Sequence, residues 1–144
     1  MNFKKILPKL PHLFRGIMEQ RLKDEGISVP FPLFLMRLTE NEGVTLSELG
    51  SELMFDKAHV SRTVAAFEEE GYVEKRPDEN DKRILRLYVT AKGLETAQKI
   101  REIHDGVNAL LLEGVSKEDL EVCERVLNQL HNNLVKETEK KDRL

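Results

Sequence analysis

The sequence predicts a mainly α-helical protein with one small β-ribbon, and three observations carry that reading. Apolar residues recur at spacings of three and four along both ends of the chain, the period of amphipathic helices. Within residues 45–70 two short stretches of the same kind are separated by a tight turn. The period changes near residue 85, where Leu85, Leu87 and Val89 alternate with Arg86, Tyr88 and Thr90, as in a half-buried strand. Helix, turn, helix and two-stranded ribbon, in that order, are the layout of a winged helix-turn-helix. In that layout one helix is shaped for the major groove of a duplex and the ribbon tip reaches backbone or minor groove.

Near the N-terminus, Leu10, Leu13, Phe14, Ile17 and Leu22 line one amphipathic helix, with Pro11 tolerable in a first turn. Pro30 and Pro32 around Phe31 give an unusual approach to the next helix. Thr45 to Glu48 fits a capping box, in which hydroxyl and carboxylate satisfy orphan amides of the first turn. Leu46, Leu49 and Leu53 then share one side. Gly50 should cost that helix about 1 kcal/mol relative to Ala, so its presence predicts close approach of the second helix. Met54 and Phe55 form the turn, and Asp56 is a good N-cap for the second helix.

That second helix sorts by face. Val60, Val64 and Phe67 form the inward stripe. At about 100° per residue, Ala58, Arg62 and Ala65 lie opposite it, with His59 and Ser61 on the flanks. Small residues beside one Arg suit close docking in a groove, because Arg donates two bonds to guanine O6 and N7. Lys57, near the start, is placed for phosphate. Glu68, Glu69 and Glu70 crowd the far end, so only the N-terminal half can dock. In the ribbon, Pro77 to Lys82 is a turn-rich tip, and Asp81 is placed to hold the Arg83 guanidinium and aim it outward. A narrow minor groove attracts such an Arg. Taken alone, the ribbon fits an ordinary solvated hairpin equally well.

After Gly93, Leu94, Ala97, Ile100, Ile103, Val107 and Leu110 line a helix ending near Gly114. Ser116 then caps a helix carrying Leu120, Cys123, Leu127, Leu130 and Leu134, a heptad-like seam that wants a partner helix. Cys123 on that seam reads as a buried structural thiol.

Composition narrows the function classes. The 144 residues form one domain-sized chain. No apolar run approaches the roughly 18 to 20 residues that span a bilayer, and Pro8, Lys9 and Pro11 interrupt any signal-peptide block. A single Cys rules out an internal disulfide and suits a reducing cytoplasm. His12, His59, His104 and His131 are scattered, without metal spacing. No catalytic constellation, metal site or cofactor site is expected. The net charge of −3 is awkward for a DNA-binding protein, but affinity depends on local charge. Lys57, Arg62, Lys75, Arg76, Lys82, Arg83 and Arg86 all fall within the helix-turn-helix and ribbon.

Four runs together carry a resemblance. They are Asp56-Lys57 with Val60-Ser61-Arg62, Phe67-Glu68-Glu69-Glu70-Gly71-Tyr72-Val73, Asp81-Lys82-Arg83, and Val89-Thr90-Ala91-Lys92-Gly93. In this order and separation the chain resembles the MarR (multiple antibiotic resistance) family of transcriptional regulators over nearly its whole length. Phe67 and Val89 stand where Leu is commoner. Ala58 and His59 replace a polar pair, which bears on the preferred sequence rather than on DNA binding. The resemblance implies a homodimeric regulator, most often a repressor, on a pseudo-palindromic double-stranded operator. The expected DNA contacts are Ser47, Lys57, Ala58, His59, Ser61, Arg62 and Thr63, with Asp81 and Arg83 in the wing. Residues 1–28 and 94–144 would supply dimerisation helices and 29–93 the winged lobe. The resemblance also implies a small aromatic or phenolic effector, and His12, Arg15, Phe31, Phe34 and Met36 come from segments able to line its cavity. Peroxide-sensing relatives carry a Cys in the first helix, and none occurs here. The competing reading is a winged-helix module for protein–protein assembly without DNA.

Overall fold

The computed structural model of the protein describes residues 2–142. In chain order, α1 (Phe3–Ile6) and α2 (Lys9–Asp24) precede α3 (Pro32–Glu40), α4 (Leu46–Leu53) and α5 (Lys57–Glu69). Strands β1 (Val73–Pro77) and β2 (Leu85–Val89) come next, then α6 (Ala91–Leu111) and α7 (Lys117–Asp142). The expected winged helix-turn-helix is present, with helices before and after it.

One apolar cluster holds the lobe together. Met18 and Leu22 of α2, Phe34, Leu35 and Leu38 of α3, Leu49 of α4, and Val60, Val64 and Phe67 of α5 meet there with Leu87 of β2 and Ala97, Ile100 and Val107 of α6. Each large apolar side chain of this kind contributes about 1.5–3 kcal/mol on burial. Met18 is buried although the spacing drew attention to Leu10, Leu13 and Ile17, which are exposed. A boundary between two compact units falls between Asn108 and Ala109. On its C-terminal side α7 is capped by Ser116, whose hydroxyl accepts from the Asp119 amide at 3.1 Å. This helix buries none of its residues, and Cys123, expected to be buried, is exposed. The reason is that the seam itself faces solvent, with Leu120, Leu127 and Leu134 exposed.

The ribbon is antiparallel, pairing Val73 with Val89 through to Pro77 with Leu85. A third segment lies against β2: the Gly43 amide donates to the Leu87 carbonyl at 2.8 Å and the Leu87 amide to the Val44 carbonyl at 2.9 Å. That segment covers Leu87 but stops short of Leu85, which is 39% exposed rather than part of a continuous buried face.

The start of α6 is joined to the end of α5 by three neighbouring residues. Thr90 donates its hydroxyl to the Gly71 carbonyl at 2.6 Å and accepts from the Gly93 amide at 3.1 Å, acting as an N-cap. Lys92 donates from Nζ to the Glu70 carbonyl at 2.6 Å and lies over the Tyr72 ring. Gly93 is buried where any Cβ would collide with the Tyr72 carbonyl oxygen and approach Val89 Cγ1 to 2.6 Å. Only glycine lets the two backbones come so close.

Candidate nucleic-acid interface

The helix-turn-helix is built from local hydrogen bonds. The Glu48 amide donates to Thr45 Oγ1 at 3.2 Å and the Thr45 amide to Glu48 Oε2 at 3.0 Å, so the capping box is complete. Met54 takes left-handed backbone (φ 57) and reverses the chain at the end of α4. The Gly50 position faces Phe55 O and Val60 Cγ2, each 3.3 Å from where a Cβ would stand, which is the close approach the sequence implied. Asp56 caps α5 by accepting from the His59 amide at 2.8 Å.

The faces of α5 are as the spacing predicts. Val60, Val64 and Phe67 are buried, while Lys57, Ala58, Arg62 and Ala65 are exposed and Ser61 is half-buried. Two of the expected contact residues are drawn away from solvent. Thr63 is 4% exposed and donates its hydroxyl to the His59 carbonyl at 3.0 Å, because its position beside Val60 and Val64 turns it inward. His59 is half-buried, with its ring edge-on to Phe31 at 4.5 Å and to Phe55 at 4.7 Å, so one side of it packs on these rings. Ser47 is exposed on α4 and lines, with Gly50, Met54 and Lys57, an open depression beside the helix-turn-helix.

At the wing, Asp81 and Arg83 form the fork expected of them. Arg83 Nε donates to Asp81 Oδ1 at 3.0 Å and Nη2 to Oδ2 at 3.1 Å, with the Arg83 side chain 91% exposed. The two charges hold each other: the Arg83 bonds depress the Asp81 carboxyl and the Asp81 bond raises the Arg83 guanidinium. Water screens an exposed pair of this kind so that it adds little to stability, and its effect is orientation.

Other cations assigned to the reading surface by sequence are spoken for. Lys75 pairs with Glu68 at 2.9 Å, Arg76 pairs with Glu74 and stacks over Tyr88, and Arg86 pairs with Asp78 at 2.5 Å. Among the described residues, Lys57, Arg62 and Lys82 have no carboxylate at ion-pair distance. Asp78 went unnoticed in the sequence, though an Asp opening a turn was a usable signal. Its Oδ1 accepts from the Asn80 and Asp81 amides at 2.8 and 3.0 Å. The Arg86 bond, then those two amides, hold its carboxyl at about 2. Of the cavity candidates, Phe34 is core, Met36 is half-buried against it, and His12, Arg15 and Phe31 are exposed. Phe31 has φ 50, a left-handed conformation that is costly for a bulky side chain.

Known proteins agree with this geometry. A sequence model of the MarR family matches residues 33–85. The chain is 33% identical over 98 residues to the HTH-type transcriptional regulator BilQ of Clostridioides difficile (strain CD3), covering 68% of this chain and 66% of that one. It is 27% identical over 124 residues to the uncharacterized HTH-type transcriptional regulator YybA of Bacillus subtilis (strain 168), covering 86% and 83%. Among solved structures, a MarR protein from Peptoclostridium difficile is similar with a TM-score of 0.84 at 27% identity, over 95% of this chain and 90% of that one. A putative MarR family transcriptional regulator from Listeria monocytogenes, complexed with a 26mer DNA, shares the fold with a TM-score of 0.81 at 22% identity, over 92% and 89%. From the four sequence runs, the winged fold that carries them and these likenesses, the chain belongs to the MarR family of winged helix-turn-helix transcriptional regulators.

Proposed function

We propose that this regulator binds a pseudo-palindromic double-stranded DNA operator as a homodimer in the cytoplasm and represses transcription by occupying it. The observation that carries the proposal is the exposed face of α5, where Arg62 and Lys57 stand beside Ala58, Ser61 and Ala65. A single fork-shaped donor set among small side chains suits base-edge reading. Lys57 and Ser47 serve phosphate, and Arg83, aimed by Asp81, serves the wing contact. The DNA in the Listeria relative's complex supports the same partner.

Dimerisation is supported by apolar side chains that each unit exposes. Phe3, Ile6, Leu7, Leu10, Leu13 and Ile17 do so in the N-terminal helices, and Leu120, Val126, Leu127 and Leu134 do so in α7. Many exposed large apolar side chains on one helix mark an interaction site, and two-fold pairing would set two recognition helices about one DNA turn apart. The family resemblance extends the proposal to induction. A small aromatic acid that binds better to a dimer with mis-spaced helices weakens operator affinity by that difference. The assembly-module reading is disfavoured by charge, since the cores of protein interfaces are depleted of charged residues and Arg62 and Arg83 sit where the anchors would be.

Selection of bound duplex from a random pool, with and without aromatic acids, tests the proposal. Enrichment of two inverted half-sites about 10 base pairs apart is expected. A pool that stays unenriched refutes DNA reading, and unchanged binding with the acids refutes that effector class alone.

A further inference from the structure

Arg86 looked like one more cation facing the duplex, but its guanidinium is engaged elsewhere. Nε donates to Asp78 Oδ2 at 2.5 Å, and Nη1 donates to the Gly43 carbonyl, 43 residues away in sequence, at 2.9 Å. The backbone of Arg86 also bridges to Thr45. Asp78 in turn closes the wing turn through the Asn80 and Asp81 amides, and its own amide donates to the Ile84 carbonyl at 2.8 Å. Asp81 then holds Arg83. A continuous path of bonds therefore runs from the loop before α4 through Arg86, Asp78 and the turn to the exposed Arg83. The Asp78 side chain is only 12% exposed, so the root of this path is shielded while its tip is open. A planar fork can serve two acceptors in different directions, which a lysine ammonium on a flexible stem does not reproduce.

We propose that Arg86 and Asp78 are positioning residues for duplex binding, fixing the wing against the Gly43 loop and thereby setting where Arg83 meets the DNA. The inference rests on the DNA-binding function proposed above. It separates sharply from a simple electrostatic role. As a phosphate cation, Arg86 would be replaceable by Lys, and removing the Asp78 charge would tighten binding by lessening repulsion. As a clasp, Arg86→Lys and Asp78→Asn both weaken it.

The experiment measures the affinity of the full-length protein for the duplex selected from the random pool, by fluorescence anisotropy at fixed salt. Arg86→Lys and Asp78→Asn are each compared with the parent and placed in an Arg83→Ala background. Losses of about tenfold are expected in the parent and less than about twofold without Arg83, since residues acting through one path are not additive. Hydroxyl-radical footprints should lose protection at the outer, wing-contacted positions while keeping it at the major-groove centre. In free protein, the Asn80 and Asp81 amides should exchange faster in Asp78→Asn, which reports the turn without DNA. Tighter binding by Asp78→Asn, parental binding by Arg86→Lys, or full losses without Arg83 overturns the clasp alone. A parent that retains no duplex overturns the DNA reading and the clasp with it.

Discussion

Replacing Gly93 with Ala tests the joint between α5 and α6. The added methyl would collide with the Tyr72 carbonyl oxygen and stand 3.0 Å from the Tyr72 carbonyl carbon. That carbonyl has little room to retreat, because it accepts the Thr90 amide at 2.9 Å and Tyr72 is buried. Overpacking of this kind costs about 1–3 kcal/mol, and the rigid neighbour places it at the upper end. Straining the Thr90 bond adds about 1 kcal/mol. Against this, Ala is better than Gly in a helix by about 1 kcal/mol, so the net loss is roughly 3 kcal/mol. For a chain of this size that lowers Tm by about 6–12 °C, read by circular dichroism at matched protein concentration because association would shift Tm. Gly16→Ala in α2 is the control: nothing lies within 4 Å of its Cβ position, so the helix preference acts alone and Tm should rise. A Gly93→Ala protein melting with or above the parent would show that α6 moves freely off Tyr72 and would refute the reasoning.

Arg62→Ala should cost roughly 1–3 kcal/mol per half-site and relax one symmetric pair of base positions, whereas Arg83→Ala should reduce the salt slope by about one per wing and spare major-groove preferences; binding selections at several salt concentrations distinguish them. Thr63→Val should leave those preferences unchanged, because the hydroxyl is bonded to His59 O inside the lobe; altered base preference would put Thr63 back on the reading face. Acid titration should spare the wing longer than most carboxylate contacts. The Asp78 pKa is depressed to about 2, so its contribution is full above about pH 4 and is lost as pH falls through 2, as Asn80 amide exchange would record. Light scattering at micromolar concentration should give twice the chain mass, and a monomer mass would sink the dimer.

How much of this was legible in the sequence depends on the range of each interaction. Thr45 with Glu48, Asp56 with its first turn, Ser116, and Asp81 with Arg83 all act within three residues, so spacing identified them. The stripe of Val60, Val64 and Phe67 is periodic and was equally plain. Thr63 came in with the contacts that the resemblance implies, although its angle places it beside that stripe, where its side chain is buried. Arg86 could not be told from a phosphate cation, because one of its acceptors is a backbone carbonyl brought in by the Gly43 segment. His59 was similar, since its packing depends on Phe31, which the fold brings to α5 with a backbone sign that Pro30 and Pro32 do not specify. Leu85 alternated correctly, but coverage of a two-stranded ribbon depends on where a third segment ends.

The lock of Thr90, Lys92 and Gly93 on the end of α5 also gives that helix a fulcrum. Its bonds fall on Glu70, Gly71 and Tyr72, at the acidic end that phosphates repel, while Lys57 and Ala58 lie at the opposite tip. Thirteen residues at about 1.5 Å per residue make a lever of about 20 Å. A tilt of about 10° at the fulcrum would sweep the far tip through about 3.4 Å, the rise of one base pair. Because Val60, Val64 and Phe67 seat α5 in the core shared with α6, packing resists such a tilt, and the lock on Glu70, Gly71 and Tyr72 fixes where the exposed face of α5 stands.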